Sequence, residues 1–225
     1  GLIFLLVLAL VLAGLAWQEA ANAWPSNEDK TLFKTMLYYQ SWLMPFFLVW
    51  VIWGFKHQQV STGFMLVTVV GAVFGIYARF VEPNLLVVKE SHIKTGYKLK
   101  IALISDMHYG LYSSPERMQR LVDKLNTLDV DAVVVAGDWT YEPPKNINLA
   151  EQLKPFSQLK HPIYSVPGNH DEEMPGPPLA HELKAALIAN HVQAIEGTSV
   201  DLGKVRLVGI GDLIMADTRP ARLAA

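Results

Sequence analysis

Three short apolar runs, each closing on an acidic or histidine-bearing turn, restrict this chain more than any other feature. Ile101-Ala102-Leu103-Ile104 ends at Ser105-Asp106-Met107-His108, Ala132-Val133-Val134-Val135-Ala136 ends at Gly137-Asp138, and Pro162-Ile163-Tyr164-Ser165-Val166 ends just before Gly168-Asn169-His170-Asp171. Short β-branched runs of this kind are the pattern of strands buried on both faces. Helical stretches alternate with them: one opening at Ser113 or Ser114 with Pro115 and running through Leu121, Leu125 and Leu128, one over Asn148–Leu159, and one over Leu179–His191. The alternation predicts a mixed α/β fold around a mainly parallel sheet. Sites in open α/β sheets lie at the carboxyl ends of the strands, so the three turns are expected on one rim.

That rim would gather Asp106, His108, Asp138, Asn169, His170 and Asp171. Oxygen donors mixed with imidazole suit Mn, Fe, Mg or Zn, and a chain without cysteine offers no thiolate. Two carboxylates from different strands can hold two such ions, one carboxylate bridging. Metals about 3.5–4 Å apart clamp the attacking and leaving oxygens of a phosphoryl displacement. A single Asp after a strand is more often a helix N-cap, and a single His is more often a packing residue. Three such turns in order outweigh that reading.

Further strands are expected over Leu85–Val88, Val192–Ile195, Ser199–Leu202 and Val205–Ile210, with Gly203 in a tight turn. Asp212, after the last of these, is a weak further candidate, and His57, His92, His161, His181 and His191 are assigned to surface or packing roles. Trp139-Thr140-Tyr141 could wall a pocket, with ordinary packing the preferred account, and Asp171–Pro178 reads as a rim loop open to substrate.

The N-terminal third is different. Residues 1–17 are uncharged and almost wholly Leu, Val, Ile and Ala, and a spanning helix needs about 20 such residues, down to about 17. A secretory signal is the alternative, because Ala21-Asn22-Ala23 has the shape of a cleavage site. Two more spans are expected over 37–55 and 64–81. The first follows a helix start at Ser26 and is kinked at Pro45, with Trp42, Trp50 and Trp53 near membrane interfaces; the second has Arg79 snorkelling to headgroups. The expected division is therefore a membrane region over 1–81 and a catalytic domain over 82–225. Lys30, Lys34, Lys89, Lys94, Lys98 and Lys100 outnumber Lys56 on the opposite side, which leans the catalytic domain toward the cytoplasm. A mean hydropathy of +0.22 agrees with a membrane segment. A net charge of −2 gives no basic bias toward nucleic acid.

Asp-Met-His, then Gly-Asp, then Gly-Asn-His-Asp resembles the calcineurin-like metallophosphoesterase family, and the flanking text over residues 85–215 is similar to its bacterial membrane-associated branch. The resemblance implies a four-layer αββα sandwich. It implies Asp106 and His108 on one metal, Asp138 bridging, Asn169 on the other, His170 assisting the leaving group and Asp171 orienting it. It further implies hydrolysis of phosphodiester or pyrophosphate bonds, on a phosphorylated small molecule or a lipid-linked substrate, by a water activated between two divalent ions (Mn, Fe, Zn or Mg). The setting it implies is a bacterial inner membrane, crossed several times. The family's later histidine and Gly-His-x-His turn have no counterpart after Asn169. The expectation is thus a fragment of a longer protein, weakly active or inactive by itself. The competing expectation is a catalytically silent membrane protein whose domain binds phosphorylated ligands or a partner.

Overall fold

The computed structural model describes residues 1–23, 28–94, 96–110, 113–172 and 179–212. The chain forms two compact units, one of residues 1–22 with 27–88 and one of residues 23–26 with 89–225.

The first unit is helical: α1 (Leu2–Asn22), α2 (Glu28–Gln40), α3 (Leu43–Lys56) and α4 (Thr62–Ile76), the last continued by a π turn over Tyr77–Val81 and a 3-10 turn over Glu82–Asn84. The Ser61 hydroxyl caps α4 by accepting from the Phe64 N–H at 3.3 Å. The stretches Leu2–Asn22 and Thr62–Asn84 are each long and apolar enough to cross a membrane. Their large side chains point outward, with Ile3 78% and Val67 75% exposed, an arrangement that is costly in water and natural in lipid.

The kinked span expected over 37–55 falls in two helices that together are long and apolar enough to form one broken span. Lys30–Gln40 and Leu43–Lys56 meet at 44°, and the chain turns at Ser41 and Trp42. Pro45 has no N–H to offer the Ser41 carbonyl, and its ring crowds that carbonyl, so the break falls one turn before the proline. The expected start at Ser26 lies outside the described residues. Arg79 does not simply reach for headgroups either. Its Nε donates to the Ser41 hydroxyl at 3.0 Å, and its guanidinium lies 3.7 Å from the centroid of the Tyr38 ring, so it cross-ties α4's extension to the break.

The second unit is mixed α/β. β1 (Ile101–Ile104), β3 (Ala132–Ala136), β5 (Ile163–Val166) and β6 (Gln193–Ala194) form one sheet in the order β1-β3-β5-β6, every pair parallel. Successive side chains alternate between its faces. Val133, Val135 and Ile163 join a core with Met118, Val122 and Leu125 of α5 (Pro115–Leu125) and with Leu183, Ala186 and Leu187 of α8 (Ala180–Ala189). Ala132, Tyr164 and Ile195 face the other way, where Val200, Leu202 and Leu207 of the antiparallel hairpin β7 (Ser199–Leu202) and β8 (Val205–Val208) cover them. Gly203 makes the turn at φ +69°.

Several expected elements are shortened or replaced, Val192–Ile195 for instance to Gln193–Ala194. Helix Asn148–Leu159 resolves into α6 (Leu149–Gln152), capped by the Asn148 side chain, and a 3-10 turn over Lys154–Gln158 that accommodates Pro155. β8 stops at Val208. Leu85–Val88 pairs with no strand among the described residues and forms none itself; all four side chains are exposed, Val87 to 74%. A β-branched run becomes a strand only when a neighbouring strand takes its hydrogen bonds.

Candidate metal centre

Because β1, β3 and β5 run parallel, their carboxyl ends lie at one edge, and the three turns leave from that edge side by side. The first two are zipped together: the Asp106 N–H donates to the Gly137 carbonyl at 3.2 Å, His108 to Asp138 at 3.0 Å, and Tyr109 to Trp139 at 2.7 Å. This continues as a two-strand parallel ladder of β2 (Tyr109–Gly110) and β4 (Thr140–Tyr141), which the sequence pattern does not reveal. Holding the turns so closely puts Asp106, His108 and Asp138 in the left-handed region, at φ +55°, +48° and +55°. Asp and His tolerate that region better than most side chains, yet it costs free energy that the surrounding hydrogen bonds must offset.

The second and third turns approach without room for side chains. A Cβ on Gly137, itself at φ +84°, would stand 2.6 Å from the Gly168 nitrogen, and one on Gly168 would overlap the Asp138 carboxylate. Asp171, fully buried in the short helix α7 (Asn169–Glu172), fastens the two turns. Its carboxylate accepts from the N–H groups of Gly168 (3.0 Å), Trp139 (3.2 Å) and Thr140 (2.9 Å) and from the Thr140 hydroxyl (2.9 Å). Burial pushes the Asp171 carboxyl above the usual carboxylate range, while these four donors pull the other way.

Ligand-type atoms of His108, Asp138 and His170 all lie within 4.8 Å of one another. The Asp138 carboxylate is central. One oxygen is 3.2 Å from His108 Nε2, and the other accepts the His170 backbone N–H at 3.2 Å. Asp106, largely exposed, brings a carboxylate oxygen to 3.8 Å from the same imidazole nitrogen. Asn169 opens α7 beside His170. Asp212 is not a member of this cluster. Tyr141, for which the sequence favours packing over a pocket wall, stands at the site: its ring centroid lies 5.2 Å from that of His108 and 4.6 Å from that of His170. Trp139 has a packing role, fully buried, with its indole N–H on the Ser165 hydroxyl at 2.7 Å and its ring edge-on to Phe156.

Carboxylates and imidazoles converging at the carboxyl edge of a parallel sheet, without sulfur, define a class: a metallohydrolase-type centre for hard or borderline divalent ions. The comparisons then give the family. Residues 99–217, just over half the chain, match Calcineurin-like phosphoesterase, and the chain belongs to that family. It is 29% identical over 143 residues to an "Uncharacterized metallophosphoesterase" of Helicobacter pylori, covering 61% of this chain and 36% of that protein. It is 30% identical over 112 residues to a "Transmembrane protein with metallophosphoesterase domain" of Danio rerio, covering 48% of this chain and 25% of that protein. The chain thus spans roughly a third or less of the curated relatives it matches. No solved structure matches it significantly. The family implies phosphoric ester hydrolysis with divalent metal ions, and the His/Asp cluster suits such ions.

Proposed function

We propose that the protein is a membrane-anchored, metal-dependent phosphoesterase acting on phosphodiester or pyrophosphate bonds, with a membrane region over 1–81 and a catalytic domain over 82–225. The observation that carries this reading is the convergence of His108, Asp138 and His170 at the carboxyl edge of the sheet, with the backbone left-handed at His108 and Asp138. Asp106 and His108 would hold one divalent ion, Asn169 the other, with Asp138 between them; manganese, iron, zinc and magnesium all fit these donors. Bound ions would supply an acidified water and neutralise charge growing on the phosphoryl oxygens.

The chain's own residues do the rest. Asp138 keeps its two oxygens aimed at different neighbours because the His170 N–H holds one and His108 faces the other. His170, at the mouth of the site, would stabilise or protonate the leaving oxygen. Asp171 orients it by fixing the backbone on which it stands. An apolar helical anchor favours an amphipathic, lipid-linked phosphoester as substrate. The apolar helices and the family resemblance favour several crossings of a bacterial inner membrane, and the lysine distribution favours an active site on the cytoplasmic side.

The test is metal-dependent hydrolysis of a generic phosphodiester by the full-length protein in detergent, beside Asp138→Asn. Asn tolerates the left-handed backbone at 138, so the variant is expected to fold and to lose both metal affinity and turnover. Turnover surviving in Asp138→Asn would refute the two-metal assignment. Absence of turnover with every metal would turn the reading to a domain that binds phosphorylated ligands without cleaving them.

A further inference from the structure

A pocket of about 510 Å³ sits between the chain leaving Tyr141 and the first turns of α8, a volume ordinary for a small-molecule site. Its lining is mostly apolar, including Pro143, Ile147, Leu179 and Ala185, with Lys145 and His181 among the polar members. The Asn148 side-chain oxygen, a lining acceptor, is already engaged in capping α6. Each wall is tied through one residue to a neighbour of the metal centre. Pro143 follows by two residues the Tyr141 ring that stands 4.6 Å from His170. Leu179, on the opposite wall, donates its N–H to the Asp171 carbonyl at 3.2 Å. The base is fixed, because the Asn190 side chain at the end of α8 donates to the Ala150 carbonyl of α6 at 2.8 Å.

We infer that this pocket receives the organic group of the substrate, an alkyl or aryl substituent carried by the phosphate that the metal rim holds. The inference rests on the phosphoesterase reading and adds a substrate class to it. A compact polar ester would leave the pocket's apolar lining in water, whereas an apolar substituent would cover it. Tyr141, whose ring packs on both imidazoles and whose chain leads in two residues to the pocket-lining Pro143, is the link between phosphate and substituent in this reading.

The test uses non-hydrolysable phosphonates on the manganese-loaded full-length protein, with dissociation constants from calorimetry. Benzylphosphonate is expected to bind about tenfold more tightly than methylphosphonate, the size of effect that covering one ring would give. Ala185 is exposed at the pocket, so Ala185→Trp fills it from the solvent side without touching the core. That variant is expected to lose the benzyl preference while keeping its melting temperature and its affinity for methylphosphonate. Equal affinities in the unmodified protein, or a preference that survives Ala185→Trp, overturn the inference. Turnover of a methyl phosphodiester, measured in parallel, separates the two claims. Turnover without benzyl preference sinks the pocket alone, and benzyl preference without turnover sinks the hydrolase reading alone.

Discussion

Replacing Asp171 with asparagine separates two ways in which this residue can serve the site. As built, one carboxylate oxygen takes the Thr140 N–H and hydroxyl, and the other takes the N–H groups of Trp139 and Gly168. The amide of the Asp171→Asn variant has a single acceptor oxygen. The amide does best with its oxygen toward Trp139 and Gly168 and its NH₂ toward Thr140, whose hydroxyl can turn to accept, so only the Thr140 N–H loses its acceptor in a fully buried site. A buried donor stripped of its acceptor costs about 1–3 kcal/mol, a sizeable part of the roughly 5–15 kcal/mol that keeps a domain folded. Urea unfolding of the full-length protein in detergent, followed by tryptophan fluorescence, reads that loss directly. Turnover is measured on the fraction still folded. The expected outcome is a destabilisation of about 2 kcal/mol, with a lowered rate that reflects a loosened His170 backbone. A stability change under about 0.5 kcal/mol together with a lost rate would refute this reasoning, and would mean that Asp171 acts on the His170 imidazole itself.

Three further outcomes follow from the same geometry. Gly137→Ala combines a left-handed φ of +84° with a Cβ 2.6 Å from the Gly168 nitrogen, so it should destabilise by more than the roughly 1–2 kcal/mol of the backbone conformation alone, read by the unfolding midpoint. Tyr141→Ala removes the ring that packs on His108 and His170 and should weaken manganese binding several-fold by calorimetry, whereas Tyr141→Phe should keep it. Arg79→Ala deletes both the Ser41 hydrogen bond and the stacking on Tyr38, and should lower the melting temperature in detergent without altering metal affinity in the other unit.

The parts legible in the sequence were those where local pattern and burial coincide. Val133, Val135 and Ile163 are buried toward the helices and Ala132 and Tyr164 toward the hairpin, so the composition of these runs announces central parallel strands, and their carboxyl ends announce where Asp138 and Asn169 must be. Leu85–Val88 has the same composition and forms no strand, because pairing depends on a neighbour that composition does not supply. Pro45 signalled a kink but not that the chain would turn at Ser41 and Trp42, since the clash falls on the preceding turn.

The centre itself divides along the same line. That Asp106, His108, Asp138 and His170 would meet was readable, because parallel strands end together. How they meet was not. The left-handed backbone at Asp106, His108 and Asp138 arises from hydrogen bonds between turns about thirty residues apart, Asp106 to Gly137 and His108 to Asp138, and such residues carry no glycine to advertise it. Asp171 shows the limit most sharply. Beside a histidine in sequence it reads as that histidine's partner, yet its carboxylate meets the N–H groups of Trp139 and Thr140, more than thirty residues upstream. Each left-handed residue costs about 1–3 kcal/mol and persists only where its surroundings over-determine it. The β2–β4 ladder and the Asp171 carboxylate, both acting on Thr140, supply that constraint, so the strain in the ligand-bearing turns and the buried carboxylate are two halves of one arrangement.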